Sequence, residues 1–181
     1  MKVFKIMFLG IGIFIVVAII AAVLLFTILN KSNSKVNEPN EVVYKGTSDK
    51  KALVLYQPSK GDTTESISTA VAKQLNGEGY TVVVNYPSEK LTYNLNDYEV
   101  IAFGTPVYMG QTSGTLTDYI KNNKFTGKKV LLYTTGSNTE VMDEVNKIEE
   151  NLEKGNKVSK IKVSKDQEDK IKEFITSFVI E

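Results

Sequence analysis

The chain has no cysteine, no histidine and no arginine, and each absence removes a class of chemistry. Without cysteine there is no disulfide, no thiolate nucleophile and no residue to carry a lipoprotein anchor. Without histidine, Ser-His-Asp and Cys-His catalysis fall away, and with both gone so does nearly every zinc or transition-metal site. All 22 basic residues are lysine, set against 21 acidic ones. Neither the basic stripe nor the bidentate arginine contacts of nucleic-acid readout are present, so no nucleic-acid partner is expected. A chain this poor in reactive side chains, if it does chemistry, borrows it from an organic cofactor and supplies binding and electrostatics. At 181 residues there is room for one soluble domain of ordinary size beside a membrane segment.

That segment runs from Ile6 to Leu29, apolar apart from Gly10, Gly12 and Thr27 and free of charge. About 24 residues at 1.5 Å rise give ~36 Å, enough to cross a hydrocarbon core of ~30 Å. The expectation is a transmembrane anchor over residues 1–29 contacting the bilayer through residues 6–29. A cleaved secretory signal is the competing reading, but the run is long for one and no small-x-small site follows Leu29. Lys2 and Lys5 precede the span while Lys31, Lys35 and Lys45 follow it, so the lysine balance leaves orientation open. Residues 30–50, rich in Asn, Ser, Lys and Glu, read as a flexible linker with a reach of ~25 Å.

From Lys51 the pattern alternates. Ala52 to Tyr56, Thr81 to Asn85, Val100 to Phe103, Lys128 to Thr134 and Val158 to Val163 read as five strands. The last carries lysines 157, 160, 162 and 165 and reads as a solvated edge. Between the strands, Ile67, Ala70, Val71 and Leu75 form one helical stripe. Leu116, Tyr119 and Ile120 form a second, Val141, Val145, Ile148 and Leu152 a third, and Ile171, Phe174, Ile175, Phe178 and Val179 a fourth. Only a short or irregular helix fits Pro87 to Asp97. Repeated β-α units require right-handed crossovers and a mainly parallel sheet covered on both faces.

Two loops stand out, Gln57-Pro58-Ser59-Lys60-Gly61-Asp62-Thr63-Thr64 after the first of these strands and Gly104-Thr105-Pro106-Val107-Tyr108-Met109-Gly110 after the third. A strand that stops in a Ser/Gly/Thr loop and restarts as a helix aims unpaired N–H groups at one spot, which suits a phosphate. An ordinary hydroxyl-capped turn explains the first loop equally well in isolation.

Together with the segment Thr134-Thr135-Gly136-Ser137, these loops resemble those of the flavodoxin family, over about residues 51–181. The resemblance implies an α/β fold: a flavodoxin-like, doubly wound, five-stranded parallel sheet of order 2-1-3-4-5, preceded here by one transmembrane helix. It implies FMN as cofactor. By position, Ser59, Lys60, Gly61, Thr63 and Thr64 would hold the phosphate. Thr105, Pro106, Val107 and Tyr108 would line one face of the ring, with Tyr108 stacking, and Thr135, Gly136 and Ser137 would close the other side. No catalytic side chain and no metal are implied.

Three departures from the family pattern carry expectations. Asp62 stands where the family usually has Gly, and an inward carboxylate ~5 Å from a phosphate costs about 3 kcal/mol at an effective dielectric near 20. Alternatively, Asp62 and Glu65 have capping-box spacing, which turns the side chain back on the helix. No aromatic lies between Gly136 and Leu152, so a second stacking ring is absent unless Tyr86 or Tyr93 provides it. Residues 51–181 carry 16 Lys and 18 Asp+Glu, about −2 net, where the family's soluble carriers are strongly acidic, so docking by a negative surface is less assured.

The expected function is a membrane-anchored FMN protein relaying electrons to a redox partner protein or from an NAD(P)H-linked reductase. The alternatives are an FMN-dependent NAD(P)H:acceptor reductase of quinone type, or a flavodoxin-fold binding module that has lost FMN. Reduction by cytosolic donors would favour a cytoplasmic domain.

Overall fold

The computed structural model describes residues 2–180, the side chains of 2–6, 8 and 32 excepted. Met1 and Glu181, outer bounds of the expected anchor and domain, lie outside the described residues, as does the Ile6 side chain at the start of the expected span. The order is α1 (Lys2–Asn33), β1 (Val42–Tyr44), β2 (Lys51–Tyr56), α2 (Thr63–Gly77), β3 (Thr81–Asn85), a 3-10 turn (Leu95–Asp97), β4 (Val100–Pro106), α3 (Gly114–Asn122), β5 (Lys129–Thr135), α4 (Asp143–Glu149), β6 (Lys157–Val163) and α5 (Glu168–Ile180).

The sheet runs β1-β3-β2-β4-β5-β6. Five strands are parallel, with registers such as Leu53 opposite Ile101, Ile101 opposite Val130 and Val130 opposite Val158. This is the expected doubly wound order with one correction: the sheet has six strands, not five. The sixth, β1, pairs antiparallel with β3, Val43 opposite Val83. It comes from inside residues 30–50, whose polar composition hides a Val-Val-Tyr triplet that caps the open edge of β3.

Alternate side chains of each strand enter two cores. On one face Val54, Ala102, Leu131 and Ile161 pack with Ile67, Val71 and Leu75 of α2 and Ile171, Ile175 and Phe178 of α5. On the other, Leu53, Ile101, Phe103, Val130 and Leu132 pack with Leu116 and Ile120 of α3 and Val145 and Ile148 of α4. Each fully buried aliphatic side chain contributes about 1.5–3 kcal/mol, so the helical stripes are explained by core formation alone. The β3–β4 connection has only its 3-10 turn, pinned by Leu95 and Tyr98 in the second core. Because β3 and β4 lie on opposite sides of β2, the chain reverses direction at β2/β4, and a crevice opens at the carboxyl ends of those strands. Ligands of open α/β sheets bind at this point, and the flavodoxin fold is itself a standing example of the rule.

Helix α1 contains an apolar stretch, Leu9–Lys31, long enough to span a bilayer, and residues 9–28 of it are exposed. Its last turn meets the domain. Asn33 is buried and its Nδ2 donates to the Gln111 carbonyl at 3.1 Å, while Gln57 Nε2 donates to the Lys35 carbonyl at 3.1 Å. Further along, the Asn40 amide donates to Asn85 Oδ1 at 2.8 Å and Tyr93 Oη to Glu41 Oε2 at 2.5 Å.

Candidate functional site

The loop after β2 is built to leave donors free. Gln57 N continues the strand pairing to the Gly104 carbonyl at 2.9 Å, and Ser59 Oγ accepts from the Thr64 amide at 3.2 Å, capping α2. The amides of Gly61 and Thr63 have no acceptor among the described residues, whereas the Lys60 amide donates to the Tyr108 hydroxyl at 2.8 Å. A run of hydroxyls fixes the start of α2 against β5. Thr64 Oγ1 meets Thr135 Oγ1 at 2.6 Å, Ser68 Oγ donates to the Thr64 carbonyl at 2.5 Å, and Tyr133 Oη donates to Ser68 Oγ at 2.7 Å.

The loop after β4 is a tight reversal. Tyr108 and Gln111 exchange amide-to-carbonyl bonds of 3.0 and 2.9 Å around Met109 and Gly110, at φ 50° and 73°. Two successive positive φ angles are the mark of a type I′ turn, which suits glycine in its second position and strains methionine in its first. Val107 N bonds the Thr135 carbonyl at 2.8 Å, so this loop is carried on the end of β5.

These loops enclose a cleft of about 520 Å³, within the range of small-molecule and cofactor sites. Of the residues singled out from sequence, Ser59, Lys60, Gly61 and Thr63 line it from the first loop, Pro106, Val107 and Tyr108 from the second, and Thr135, Gly136 and Ser137 from the third. Thr64 and Thr105 do not. Both are buried behind the wall, Thr64 on Thr135, and Thr105 accepting from the Ser113 amide at 3.0 Å. The lining also takes Leu29 of α1 and Ser164, Lys165 and Asp166 after β6. Sequence reasoning missed these four. The β6 loop was open to the same rule about carboxyl ends of parallel strands, but nothing local marked Leu29.

Asp62 takes φ 56°, makes no side-chain cap and borders the neighbouring groove with Glu65, Ser66 and Glu168 rather than the cleft. Neither expectation for it holds. It is not a capping box, because its side chain accepts no helix amide and only Ser59, from outside the helix, takes the Thr64 amide, and Asp62 is not among the cleft lining. The left-handed backbone is the physical reason a glycine suits this position. Tyr86 packs edge-on against Tyr56, with centroids 5.2 Å apart, and Tyr93 against Tyr98 at 6.2 Å. Neither lines the cleft, so Tyr108 is its one aromatic wall among the described residues.

The lysines of β6 are not all a solvated edge. Lys162 is 3% exposed and bonds Glu144 Oε2 at 2.9 Å, and Lys160 bonds Glu149. A Cβ on Gly136 would sit 3.4 Å from Lys162 Cε, so the buried ammonium's stem runs directly behind the cleft wall. Burial is the largest single influence and pushes the Glu144 carboxyl up, but the Lys162 hydrogen bond, a backbone hydrogen bond and the charges of Lys162 and Lys147 together outweigh it and hold the carboxyl below its usual range.

Comparison with known proteins agrees with this geometry. A Flavodoxin domain family model matches residues 53–172, more than half of the chain. The chain belongs to the flavodoxin family. Oxidised flavodoxin 2 of Bacillus cereus superposes with a TM-score of 0.59 at 25% identity, covering 72% of this chain and 98% of that one. The flavodoxin of Streptococcus pneumoniae TIGR4 superposes at 0.55 with 16% identity, covering 71% and 97%. An uncharacterized protein of Methanocaldococcus jannaschii is 27% identical over 86 residues, 47% of this chain and 53% of its own length. The match thus spans about half of that curated relative. The flavodoxin match starts beyond α1 and β1, which are this chain's additions to the matched domain.

Proposed function

We propose that this flavodoxin-family domain binds FMN and relays electrons from a membrane-anchored position. Flavodoxins bind flavin, typically FMN, and the residues present fit that group. The single observation that carries the reading is the free amide pair of Gly61 and Thr63, beside exposed Lys60, at the start of α2 and facing the same cleft as Tyr108. Those amides, the Thr63 hydroxyl and the Lys60 ammonium would hold the phosphate at the positive end of a helix. Tyr108, Pro106 and Val107 would bound one side of the ring, and Gly136 and Ser137 the other. When bound, the flavin supplies the electron-carrying chemistry, and the protein supplies orientation, burial and charge.

Two features shape how this chain would do so. The Lys60 amide bond to Tyr108 must open or shift as a phosphate engages that amide, because one N–H cannot serve both acceptors well. With one aromatic wall and only the small Gly136 and Ser137 opposite, a bound ring would keep a partly open face that would admit a substrate-sized acceptor, which supports a reductase as the second reading. The outward Asp62 weighs against a module that has lost its flavin.

The test is the full chain purified in detergent and titrated with FMN. Flavin absorbance bands co-purifying with the chain, and quenching of flavin fluorescence on addition, are the expected result. Tyr108→Ala should weaken binding several-fold, since an aromatic contact is worth about 0.5–1.5 kcal/mol beyond its area. A colourless chain indifferent to added FMN would overturn the proposal.

A further inference from the structure

Strand β6 and helix α4 are joined by two lysine–glutamate pairs. Lys160 with Glu149 is the outer one, its side chains 30% and 38% exposed, and Lys162 with Glu144, nearer the carboxyl ends of the strands, is the inner one, at 3% and 10%. Water therefore screens the inner ammonium far less. Its stem reaches the cleft wall: a Cβ on Gly136 would meet Lys162 Cε at 3.4 Å and Val107 Cβ at 3.6 Å, and no atom of Glu144 within 4 Å. Gly136 lines the cleft and contributes main chain alone, whereas Glu144 enters from the helix layer outside the sheet. Thr134, the register neighbour of Lys162 on β5, adds a buried hydroxyl with no partner among the described residues. Stability does not account for the inner pair, because well-packed apolar residues of similar volume are often as stable or more so.

We infer that Lys162 sets the redox preference of the cleft, its buried ammonium favouring the reduced, anionic form of the flavin over the neutral oxidised form. The inference rests on the FMN reading and deepens it. Full reduction in mildly alkaline solution adds two electrons and one proton to a neutral ring, which becomes a monoanion. Gly136 and Ser137 would bound one side of that ring, so the negative charge would develop across a wall one main chain thick from the Lys162 stem. A positive charge held there before the electrons arrive stabilises the reduced state without reorganisation. Glu144 opposes this from outside the contact, and Coulomb interaction weakens with distance. The other charges of the lining, Lys60, Lys165 and Asp166, are exposed and screened. The buried pair therefore decides the bias, toward a higher midpoint potential than an uncharged wall would give. Lys162 does not line the cleft and acts through space, so its role is to tune the site and not to contact the cofactor.

The test compares the full chain in detergent with the double variant Lys162→Met/Glu144→Gln, which removes both charges at similar volume and strands neither. Dissociation constants are measured in mildly alkaline buffer for oxidised FMN and for FMN photoreduced with EDTA, which supplies the electrons and is itself oxidised. The double variant should bind reduced FMN about tenfold more weakly while its affinity for oxidised FMN stays unchanged, which by the thermodynamic cycle lowers the two-electron midpoint by ~30 mV. A purely structural role would weaken both forms in parallel. That result, or a midpoint that is unchanged or higher, would overturn the inference. The outer pair supplies the control: Lys160→Met/Glu149→Gln should leave the midpoint where it is, and an equal fall there would assign the effect to general surface charge and overturn the role of Lys162. A native chain that takes up neither form of FMN would refute the FMN reading itself, so the two failures are separable.

Discussion

The two ends of the sheet treat left-handed backbone in opposite ways. At the amino ends of the strands, the turns into β3, β5 and β6 reach positive φ at Gly79, Gly127 and Gly155, with angles of 93°, 71° and 97°. At the carboxyl ends, around the cleft, the same region of φ is occupied by Gly110 and also by Asp62 and Met109, the two non-glycine residues with positive φ among those described. Glycine takes such angles at no steric cost, whereas an L side chain there costs about 1–2 kcal/mol, less for Asp. The cleft end also holds the buried Lys162–Glu144 pair. Strain and buried charge thus concentrate where the ligand would sit, and the far end is relaxed, as expected when a rigid scaffold over-determines a functional rim.

The largest test of this asymmetry is the buried pair. Glu144→Gln leaves an unpaired ammonium inside the protein and should lower stability by about 3–5 kcal/mol, read as a denaturant midpoint shift. Because the folded-state carboxyl titrates below its unfolded value, its contribution is present above the ordinary carboxylate range and is lost as pH falls through the lowered value. The gap between native chain and variant should therefore shrink in acid. A gap independent of pH would mean the pair is not what the substitution disturbs.

Next is Gly104, also at the cleft end. A Cβ there would lie 2.2 Å from the Tyr133 ring, which is fully buried and bonded to Ser68. Gly104→Ala should cost about 3 kcal/mol by overpacking, and calorimetry showing a loss under about 1 kcal/mol would mean the Tyr133 ring yields freely. The smallest effects compare the two ends directly. Gly155→Ala meets only Thr126 at 3.9 Å, so it isolates backbone strain and should cost about 1–2 kcal/mol. Met109→Gly should instead gain up to about 1 kcal/mol, the relieved strain being partly offset by glycine's added chain entropy. Asp62→Gly should be near neutral and leave FMN affinity unchanged, since its carboxylate borders another groove. If Met109→Gly destabilises, the asymmetry of strain is refuted.

Much of the fold was legible because apolar periodicity is a direct record of burial. Leu53 to Leu55 and Val130 to Leu132 are continuous apolar runs because both their faces are covered. The stripe at Ile67, Val71 and Leu75 appears because one face of α2 is covered. The cleft loops were legible for a different reason: their position after consecutive-neighbour strands follows from topology, and their residue types from what a phosphate and a flat ring require. What stayed hidden depended on contacts between distant segments. Lys162 reads as a surface residue until Glu144, eighteen positions earlier, is folded over it. Asp62 reads as a cap or as a repulsive charge until its left-handed backbone turns it aside. The strand at Val42 is three residues long, too short to give a period of its own, and it exists because the edge of β3 offers partners.

The sequence by itself determined the class of this protein: the alternating strands and helices, the phosphate-type loop, and the exclusion of histidine and cysteine chemistry. These are properties of residue type and spacing, which local physics reads without a partner. Only the tertiary structure decided that the apolar N-terminal helix ends as part of the cleft wall, and that charge and strain gather at one end of the sheet. Those outcomes depend on pairs such as Asn33 with Gln111 and Gln57 with Lys35, and a hydrogen bond between residues far apart in the chain leaves no periodic trace in either segment.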